Sequence, residues 1–270
     1  MSRAAPRCVS FFASDRRRVF AHRGGSGLAP ENTIAAFDNG LSLGADGLEL
    51  DVHVSRDGVV VVHHDRTLER TTDLRGPVAS RTAVELARAD AGFAFARDGA
   101  FPFRGRGVGI PTLADVLARY RDVPIIIELK ENREHLARAA IDVVRRADAV
   151  DRVCFGSFWL RVLRAIRRIE PAVATSAARE EVRWALYRSW VRWPVRRVGY
   201  DGYQVPEWAG RTHVVSPVFV DAARRADLQV QVWTVDSEPD ARRLLRWGVD
   251  ALITDRPDLI VPIARGTSGR

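Results

Sequence analysis

The feature that most constrains this chain is a regular alternation between short apolar runs and longer amphipathic stretches. The short runs are rich in valine and isoleucine and are too short for helices, whereas the longer stretches have helical periodicity. The alternation recurs about eight times with short connections, which predicts parallel strands joined by right-handed helical crossovers. A chain of 270 residues suits a TIM-type (β/α)₈ barrel, for which about 250 residues is typical, and a doubly wound open sheet is the alternative.

The alternation divides the chain into predicted elements. The predicted strands are 18–21, 47–54, 59–63, 124–129, 152–155, 172–175, 199–205, 228–234 and 251–254. The predicted helices are 33–43, 113–119, 134–147, 160–169, 180–191, 217–225 and 239–247. Residues 65–110 break the rhythm, with a weak helical signal at 83–88, and predict an insertion after the second strand that covers or shapes a site. No Pro-, Gly- or Ser-rich linker divides the chain, so we expect one barrel domain at 17–265 and an N-terminal extension at 1–16.

The composition indicates an ordinary globular chain, with 46% hydrophobic and 28% charged residues. Cys8 and Cys154 lie far apart without CxxC spacing, which indicates neither a disulfide framework nor a structural zinc site and favours a reducing compartment. The apolar stretch near the N-terminus is about six residues long, too short for a signal peptide, and no later segment approaches a membrane span. We therefore expect a cytoplasmic protein, with peripheral membrane contact as an open alternative.

The basic residues are spread along the whole chain. The formal net charge is +8, but the arginines form no block and, with the aromatic residues, no recognisable nucleic-acid-binding module, so no nucleic-acid partner is predicted. All of the 42 basic residues except Lys130 are arginine. Because arginine is a planar fork and lysine a compact ammonium on a slim stem, this lysine indicates a crowded site that needs a compact cation. Chance retention of a single lysine is the simpler alternative.

Alternating polar residues on two predicted strands indicate an acidic site. Glu49 and Asp51 are two residues apart in the second strand and therefore project from one face. Glu128 and Lys130 share a face in the same way at the end of IIIELK. A buried carboxylate without a partner costs several kcal/mol or takes up a proton, so positive charge must lie among these groups.

Three carboxylates and one lysine leave an excess of negative charge, which a divalent cation would balance. The donor atoms are oxygens with no cysteine nearby, so the pattern predicts Mg²⁺ or Ca²⁺ in preference to zinc or copper. The alternative is a structural network in which Glu49, Asp51 and Glu128 pair with arginines. That alternative is less favoured because polar rows occupy two separate strands.

Two histidines directly follow apolar strands. His22 ends the first predicted strand, and His64 comes after a run of four valines. Histidine titrates near neutral pH and can act as a base in one step and an acid in the next. Beside the carboxylates, His22 and His64 are therefore candidate catalytic groups, although a lone histidine at a strand end usually has a hydrogen-bonding role. His63 lies on the opposite face from His64 and is predicted to be structural.

Arg23 precedes two glycines, a combination that places a guanidinium and exposed backbone amides near an anion such as a phosphate. A plain glycine turn is the alternative. Residues 31–33 are typical of a helix start, with Asn32 or Thr33 as the cap.

The stretch from residue 180 to residue 197 has the most unusual composition, with Trp184, Tyr187, Trp190 and Trp193 among several arginines. We expect a barrel helix that packs these aromatic side chains on the sheet. The alternative is a basic, tryptophan-bearing surface at residues 182–197 that contacts an anionic membrane peripherally.

An ordered series of motifs resembles the glycerophosphodiester phosphodiesterase family. The motifs are HRGGSGLAPENT, GADGLELDVHVSRDGVVVVHHDRTLERTT, IPTLADVL, IIIELK, VQVWTV and GVDALITDRPD. They follow the family order from about Val19 to Leu259, nearly the whole chain. The resemblance implies a TIM-type barrel with an insertion after the second strand.

The resemblance also implies residue roles. It implies that His22 and His64 form the general acid/base pair, that Glu49, Asp51 and Glu128 bind Mg²⁺ or Ca²⁺, that Arg23 and Lys130 contact the phosphate, and that Trp233 forms a wall beside the glycerol or head group. The implied activity is metal-dependent hydrolysis of small glycerophosphodiesters to glycerol 3-phosphate and an alcohol. Two alternatives stay open, a lysophospholipase D-like enzyme acting on lysophospholipids at membranes and a non-catalytic protein that binds anionic membranes. The sequence does not indicate an oligomeric state.

Overall fold

Parallel strands form the wall of a barrel in the computed structural model, which describes residues 10–12, 16–195 and 198–266. In chain order the strands are β1 (Arg18–His22), β2 (Gly47–Val54), β3 (Val60–Val62), β4 (Ile125–Leu129), β5 (Val153–Gly156), β6 (Ala174–Thr175), β7 (Gly202–Pro206), β8 (Trp208–Ala209), β9 (Thr212–His213), β10 (Gln229–Trp233) and β11 (Ala251–Thr254). The order around the wall is β6, β5, β4, β2, β1, β11, β10 and β7, and every neighbouring pair is parallel. A parallel bridge between Ser176 and Gly202 joins the two ends. The predicted (β/α)₈ barrel is therefore confirmed, and the open-sheet alternative is wrong.

Helices surround this wall. Within the described residues they are α1 (Ile34–Ser42), α2 (Ala83–Ala87), α3 (Leu113–Arg119), α4 (Glu134–Arg146), α5 (Leu160–Ile169), α6 (Arg179–Trp190), α7 (Pro217–Arg224), α8 (Glu238–Trp247) and α9 (Pro257–Gly266). Hydroxyl caps mark several helix starts, because a side-chain oxygen satisfies a backbone N–H of the first turn. The capping residues are Thr33, Thr82, Thr112, Ser216 and Ser237. The predicted helix starts agree closely with the observed ones, both for these capped helices and for α4 and α5, which begin without a side-chain cap.

The period of two along each strand separates the apolar layer from the interior of the barrel. On β2, Leu48, Leu50 and Val52 are fully buried in the apolar cluster that strands share with helices. Glu49 and Asp51 point the other way, into the barrel. The opposite end of the interior is filled by a separate cluster that includes Phe11, Phe12, Phe20, Ile126, Cys154 and Ile253. The polar site therefore lies at the carboxyl ends of the strands, and this apolar cluster fills the interior beneath it.

The predicted strand 59–63 is not one of the parallel strands of the barrel wall. It forms β3, which pairs antiparallel with β2, because the turn at residues 55–58 reverses the chain directly and leaves no room for a parallel crossover. The insertion after this hairpin carries the 3₁₀ turn Val78–Ser80 and α2, and it has its own small apolar cluster around Leu68 and Leu86. The predicted insertion after the second strand thus packs beside the mouth of the barrel.

One helix and one hairpin of the described residues were not predicted, and neither were three short 3₁₀ turns. The helix α9 contains Pro262, which obscures its apolar period of Ile260, Val261 and Ile263. The hairpin of β8 and β9 consists of two-residue strands, too short to show an alternation. The hairpin matters for the site because it carries Trp208 to the rim of the cavity.

The expectation that α6 packs its aromatic side chains on the sheet is wrong. Ala185, Leu186 and Ser189 are its buried residues, whereas its aromatic residues face outward. Ala185 and Leu186 pack in the apolar cluster that also contains Tyr203 and Val205 of β7, so the opposite side of the helix, which carries the indole rings, faces solvent. Residues 196–197 of the predicted membrane segment lie outside the described residues, as do residues 1–9 and 13–15 of the predicted extension. No helix among the described residues is long and apolar enough to cross a bilayer.

Candidate active site

Three carboxylates meet inside the mouth of the barrel. Glu49 and Asp51 lie near the carboxyl end of β2, and Asp51 is in register with Glu128 on β4. One oxygen atom from each of the three groups lies within 4.8 Å of those of the other two. Asp51 is only 1% exposed. The alternation read from the two strands therefore does bring the predicted acidic residues together, since the carboxyl ends of adjacent parallel strands share one edge.

Two cations lie among the carboxylates. Lys130 Nζ is 2.9 Å from Asp51 Oδ1 and 3.1 Å from Glu128 Oε2. Arg23 Nε is 3.3 Å from Asp51 Oδ2, and the backbone N–H of Arg23 donates to Glu49 Oε2 at 3.1 Å. The single lysine of the chain occupies a crowded position between two strands, as its slim stem allows.

Asn32 holds Asp51 in position through two hydrogen bonds. Its Nδ2 donates to Asp51 Oδ2 at 2.8 Å, and the backbone N–H of Asp51 donates to Asn32 Oδ1 at 3.2 Å. The helix cap is Thr33, whose hydroxyl accepts from the backbone N–H of Ala36. Of the two predicted cap residues, Asn32 thus has a different role, which is to orient a carboxylate.

Each candidate catalytic histidine has a carboxylate on Nδ1. His22 Nδ1 donates to Asp255 Oδ1 at 2.7 Å, and its Nε2 lies 3.8 Å from Glu49 Oε2. His64 Nδ1 donates to Asp65 Oδ1 at 2.6 Å. A carboxylate on Nδ1 holds the ring and its tautomer, so proton exchange with a substrate would use Nε2.

Further ion pairs link these carboxylates to the rest of the site. Arg70, in the insertion, binds Asp65 and also donates to both oxygens of Glu31 at 2.7 Å. Glu31 in turn accepts from Arg23 Nη1 at 3.1 Å. Asp65, Arg70 and Glu31 thus form a series of ion pairs and hydrogen bonds that connects His64 to Arg23.

Burial and mutual repulsion perturb the pKa values of the acidic cluster. Burial raises the pKa of Glu49 to about 7, and the neighbouring Asp51 carboxylate adds to the rise. Burial also raises the pKa of Glu128, and the nearby Lys130 ammonium offsets only part of this rise. For Asp51, burial alone would raise the pKa, but Lys130 and Arg23 outweigh it and hold the pKa below its ordinary value. The three carboxylates exceed the two cations that lie among them, Arg23 and Lys130, by one formal negative charge.

The two histidines are perturbed in opposite directions. Burial alone would lower the pKa of His22, but Glu49 and Asp255 outweigh it and raise the pKa to about 9. Burial lowers the pKa of His64, and the positive charge of Lys130 adds to the lowering. A cation among the carboxylates would weaken the attraction of Glu49 for a proton on His22. The surroundings of the two rings thus differ enough to favour different protonation states.

The residues of the cluster suit a hard divalent cation. All of the candidate donor atoms are carboxylate oxygens. Asp51 Oδ1 is buried and, among the described residues, accepts no hydrogen bond of good geometry although Lys130 Nζ lies close to it. A buried, under-satisfied oxygen in a surplus of negative charge is the setting in which a cation is favourable.

A cavity of about 600 Å³ joins the charged groups to an apolar wall. Most of the charged residues lie on or directly after β1, β2, β3 and β4, and Arg179 of α6 is a further charged lining residue. The apolar residues come from the other side of the mouth and are Phe158, Val182, Val205, Pro206, Trp208, Val214 and Trp233. Phe158 and Trp233 meet edge to face, with ring centroids 6.2 Å apart. One end of the cavity thus suits a phosphate and the other a less polar substituent.

The structure brings the predicted site residues together. The cavity is lined by His22, Arg23, Glu49, His64, Glu128, Lys130 and Trp233, and Asp51 lies buried beneath them. His63 instead binds the backbone carbonyl of Thr67 with Nε2 and is buried, which agrees with a structural role. Sequence reasoning missed Asp65 and Asp255, although each follows the end of a strand within a quoted motif. It also missed Arg70 and Trp208, for which no local signal exists.

Comparisons with known proteins agree with this geometry. The sequence profile of the glycerophosphoryl diester phosphodiesterase family matches residues 22–259. A glycerophosphodiester phosphodiesterase of Caldanaerobacter subterraneus is 32% identical over 92% of this chain and 97% of its own length. Among solved structures, a glycerophosphodiester phosphodiesterase of Agrobacterium tumefaciens is 30% identical with a TM-score of 0.75, covering 91% of this chain and 99% of that one. A phosphodiesterase of Oleispira antarctica, solved with the product sn-glycerol-3-phosphate, is 27% identical with a TM-score of 0.75, covering 92% and 96%.

Proposed function

Because the chain belongs to the glycerophosphoryl diester phosphodiesterase family and is a phosphoric diester hydrolase, we propose that it hydrolyses glycerophosphodiesters to glycerol 3-phosphate and an alcohol. The observation that carries this proposal is the convergence of Glu49, Asp51 and Glu128 with His22 and His64 at one cavity. The Oleispira antarctica relative holds the corresponding product, which supports the substrate class. The catalytic unit in this proposal is the barrel domain of residues 17–265, with the insertion at about 65–110.

We propose that Glu49, Asp51 and Glu128 hold a divalent cation, Mg²⁺ or Ca²⁺. The surplus of negative charge and the all-oxygen donor set support this assignment. Such a cation would neutralise charge on a phosphate oxygen and lower the pKa of an oxygen nucleophile. Lys130 keeps the cluster from carrying its full repulsion in the absence of the ion, because it lies between Asp51 and Glu128.

His22 and His64 supply the proton transfers in the proposed reaction. One imidazole accepts the proton of the attacking hydroxyl at Nε2, and the other donates a proton from Nε2 to the oxygen of the departing alcohol. The attacking oxygen belongs to water or to the 2-hydroxyl of the glycerol, and in the second case water later opens a cyclic phosphate. Asp255 and Asp65 hold the two rings in position for these transfers.

Arg23 and Lys130 bind the phosphate in this proposal. Lys130 Nζ forms ion pairs with Asp51 and Glu128, and because its ammonium has three N–H donors and lines the cavity, it can also donate to a phosphate oxygen. Both cations line the cavity, and they lie on the same side as the histidines. Trp233 lies across the cavity and forms the wall for the glycerol or head group.

The test of the proposed function is release of glycerol 3-phosphate from a panel of diesters. Purified protein with Mg²⁺ or with Ca²⁺ is expected to release it from glycerophosphocholine or from the ethanolamine or glycerol analogue. The product is measured with a coupled glycerol-3-phosphate dehydrogenase. If the folded protein releases no glycerol 3-phosphate from any diester with either metal, the proposal is wrong.

A second candidate is a lysophospholipase D-like activity, favoured by the apolar wall of the cavity. Phe158, Val182 and Trp208 offer more apolar surface than a small polar head group needs. Assayed with matched head groups below the critical micelle concentration, a lysophospholipid with a higher kcat/KM than glycerophosphocholine would identify this activity as the main one. A preference for glycerophosphocholine would reject it.

Asp255→Asn is expected to lower kcat on the order of 10- to 100-fold with little change in KM, the cost typical of losing a carboxylate that orients a functional histidine. Asparagine retains the shape and an acceptor oxygen but removes the charge that Asp255 presents to His22. The acid limb of the pH profile for kcat/KM should also shift, a change that a purely structural defect would not cause. The matched control is Asp258→Asn, which weakens an ion pair with Arg256 outside the cavity. An unchanged kcat for Asp255→Asn would show that Asp255 does not position His22.

A further inference from the structure

An exposed band of aromatic side chains runs along the outer face of α6 and the turn that follows it. We call this band the aromatic ridge and define it as Trp184, Tyr187, Trp190, Val191 and Trp193. Its members are between 54% and 65% exposed. Tyr187 and Trp190 are neighbours, with ring centroids 6.5 Å apart. Trp184, Tyr187 and Trp190 also follow one another at a spacing of three residues, so their side chains share one face of the helix.

The ridge is not needed to hold α6 on the barrel. The helix is anchored by Ala185, Leu186 and Ser189, which are buried on its inner face. A barrel helix usually shows the reverse arrangement, with large apolar residues inside and polar residues outside. Contiguous apolar patches on a surface usually mark an interaction site, because their exposure to water is unfavourable.

Positive charge surrounds the ridge. Arg183 and Arg192 are exposed, and the guanidinium of Arg188 lies 5.8 Å from the ring centroid of Trp193. Of the two acidic residues at the start of α6, Glu181 is neutralised by a close ion pair with Arg167, which leaves Glu180. The ridge therefore combines amphipathic aromatic rings with an excess of basic side chains.

We propose that the aromatic ridge docks the protein on an anionic lipid bilayer. Trp and Tyr prefer the boundary between head groups and acyl chains, since their rings are apolar and their N–H or O–H groups are polar. Arginines that flank such rings are attracted to anionic lipids and can extend their apolar stems along the interface. The basic side chains beside the rings, Arg183, Arg188 and Arg192, complement an anionic surface, and this charge favours an anionic bilayer as the occupant.

The position of α6 relates this surface to the cavity. Arg179 and Val182, in the first turn of the helix, line the cavity, and the ridge continues along the same helix. A protein docked through the ridge would thus have the mouth of its cavity beside the lipid head groups. This consequence for substrate delivery rests on the proposed function, whereas the docking itself does not.

The test is flotation with extruded vesicles at 0.15 M NaCl. Vesicles of phosphatidylcholine with about 30% phosphatidylglycerol are expected to carry the wild-type protein upward, whereas pure phosphatidylcholine vesicles are not. Trp184→Ser, Trp190→Ser and Trp193→Ser combined should reduce the partition coefficient at least about tenfold, because interfacial binding scales with the buried apolar area. Arg183→Gln combined with Arg192→Gln should weaken binding less, and more strongly at low salt than at 0.5 M NaCl.

The matched control combines Phe93→Ser and Phe101→Ser. These rings are also exposed and lie beside an arginine, Arg104, but in the insertion and away from α6. The control should float as the wild type does. Thermal unfolding of the triple serine variant should match the wild type, because the replaced residues are exposed.

Three results would overturn the proposal. The first is wild-type protein that does not float with anionic vesicles, and the second is a triple serine variant that floats equally well. The third is a wild-type dimer in light scattering that the triple variant converts to a monomer without any vesicle binding, which would make the ridge a contact between copies. Hydrolysis of soluble glycerophosphocholine by the triple variant should stay at the wild-type rate. Vesicle binding by a protein inactive on every diester would reject the proposed function and leave the docking intact.

Discussion

Replacing His64 by alanine is expected to lower kcat for glycerophosphocholine by about 10²- to 10⁴-fold, the usual contribution of a positioned acid or base. The same loss is expected for His22→Ala. Both rings line the cavity, and each is held by a carboxylate on Nδ1. The measurement is steady-state kinetics with saturating metal, with circular dichroism to confirm folding.

The double variant separates a catalytic pair from two independent contributions. Because one proton transfer is of little use without the other, His22→Ala combined with His64→Ala should fall little below the weaker single variant. His135→Ala is the matched control, since this histidine is exposed on α4 and is not among the residues that line the cavity. Single variants that retain more than about a third of the wild-type kcat would remove both histidines from the mechanism.

Removing divalent metal with EDTA is expected to reduce kcat/KM by about 10³-fold or more, equivalent to several kcal/mol of lost charge stabilisation. Returning Mg²⁺ or Ca²⁺ should restore it. Asp51→Asn should not recover, because it removes the most buried oxygen ligand of the cluster. Full activity after exhaustive chelation would refute the metal requirement.

Binding of the divalent cation should also be detectable as a rise in thermal stability, without any assay of activity. At about 100 times its dissociation constant it would add about 2.7 kcal/mol to the stability of the folded state. For a chain of this size that amounts to a rise in Tm on the order of 5–10 °C. Asp51→Asn should lose this rise. Glu131→Gln should keep it, since Glu131 pairs with His53 outside the cluster.

The metal-induced rise in Tm should also grow with pH. In the folded protein the pKa of Glu49 is about 7, above its ordinary value of 4.5. The stabilisation that protonated Glu49 gives the folded state is therefore lost as the pH rises from 4.5 to about 7. The pKa of His22, raised to about 9 from 6.5, acts in the same direction at higher pH. A bound cation offsets the loss of stability that comes from ionisation of Glu49, because the cation binds the carboxylates in their ionised form. Differential scanning fluorimetry at pH 5.5 and pH 8 with and without Mg²⁺ tests this sign.

The acidic cluster could be predicted because its pattern is local. A period of two places Glu49 and Asp51 on one face of β2, and Glu128 and Lys130 on one face of the next parallel strand in the wall. The carboxyl ends of parallel strands converge at one edge, so the residue types and their spacing were sufficient to predict a shared site. The histidines were predicted for the same reason, as they follow strand ends.

The partners that complete the site depend on contacts between distant parts of the chain. Asp255 reaches His22 across a separation of 233 residues, and Arg70 reaches Glu31 from within the insertion. No periodicity encodes such pairs, because a strand or helix pattern specifies which face is polar but not which group lies opposite.

The sequence by itself determined the barrel, the two polar strand faces and the candidate catalytic groups, since each follows from short-range periodicity and from the shared edge of parallel strands. Only the tertiary structure decided the orientation of α6. Both of its faces carry apolar residues, so periodicity alone favoured burying the large rings. A helix on a barrel buries one face only, and here the buried face is that of Ala185 and Leu186, which share an apolar cluster with Tyr203 and Val205 of β7, so Trp184 and Trp190 face outward.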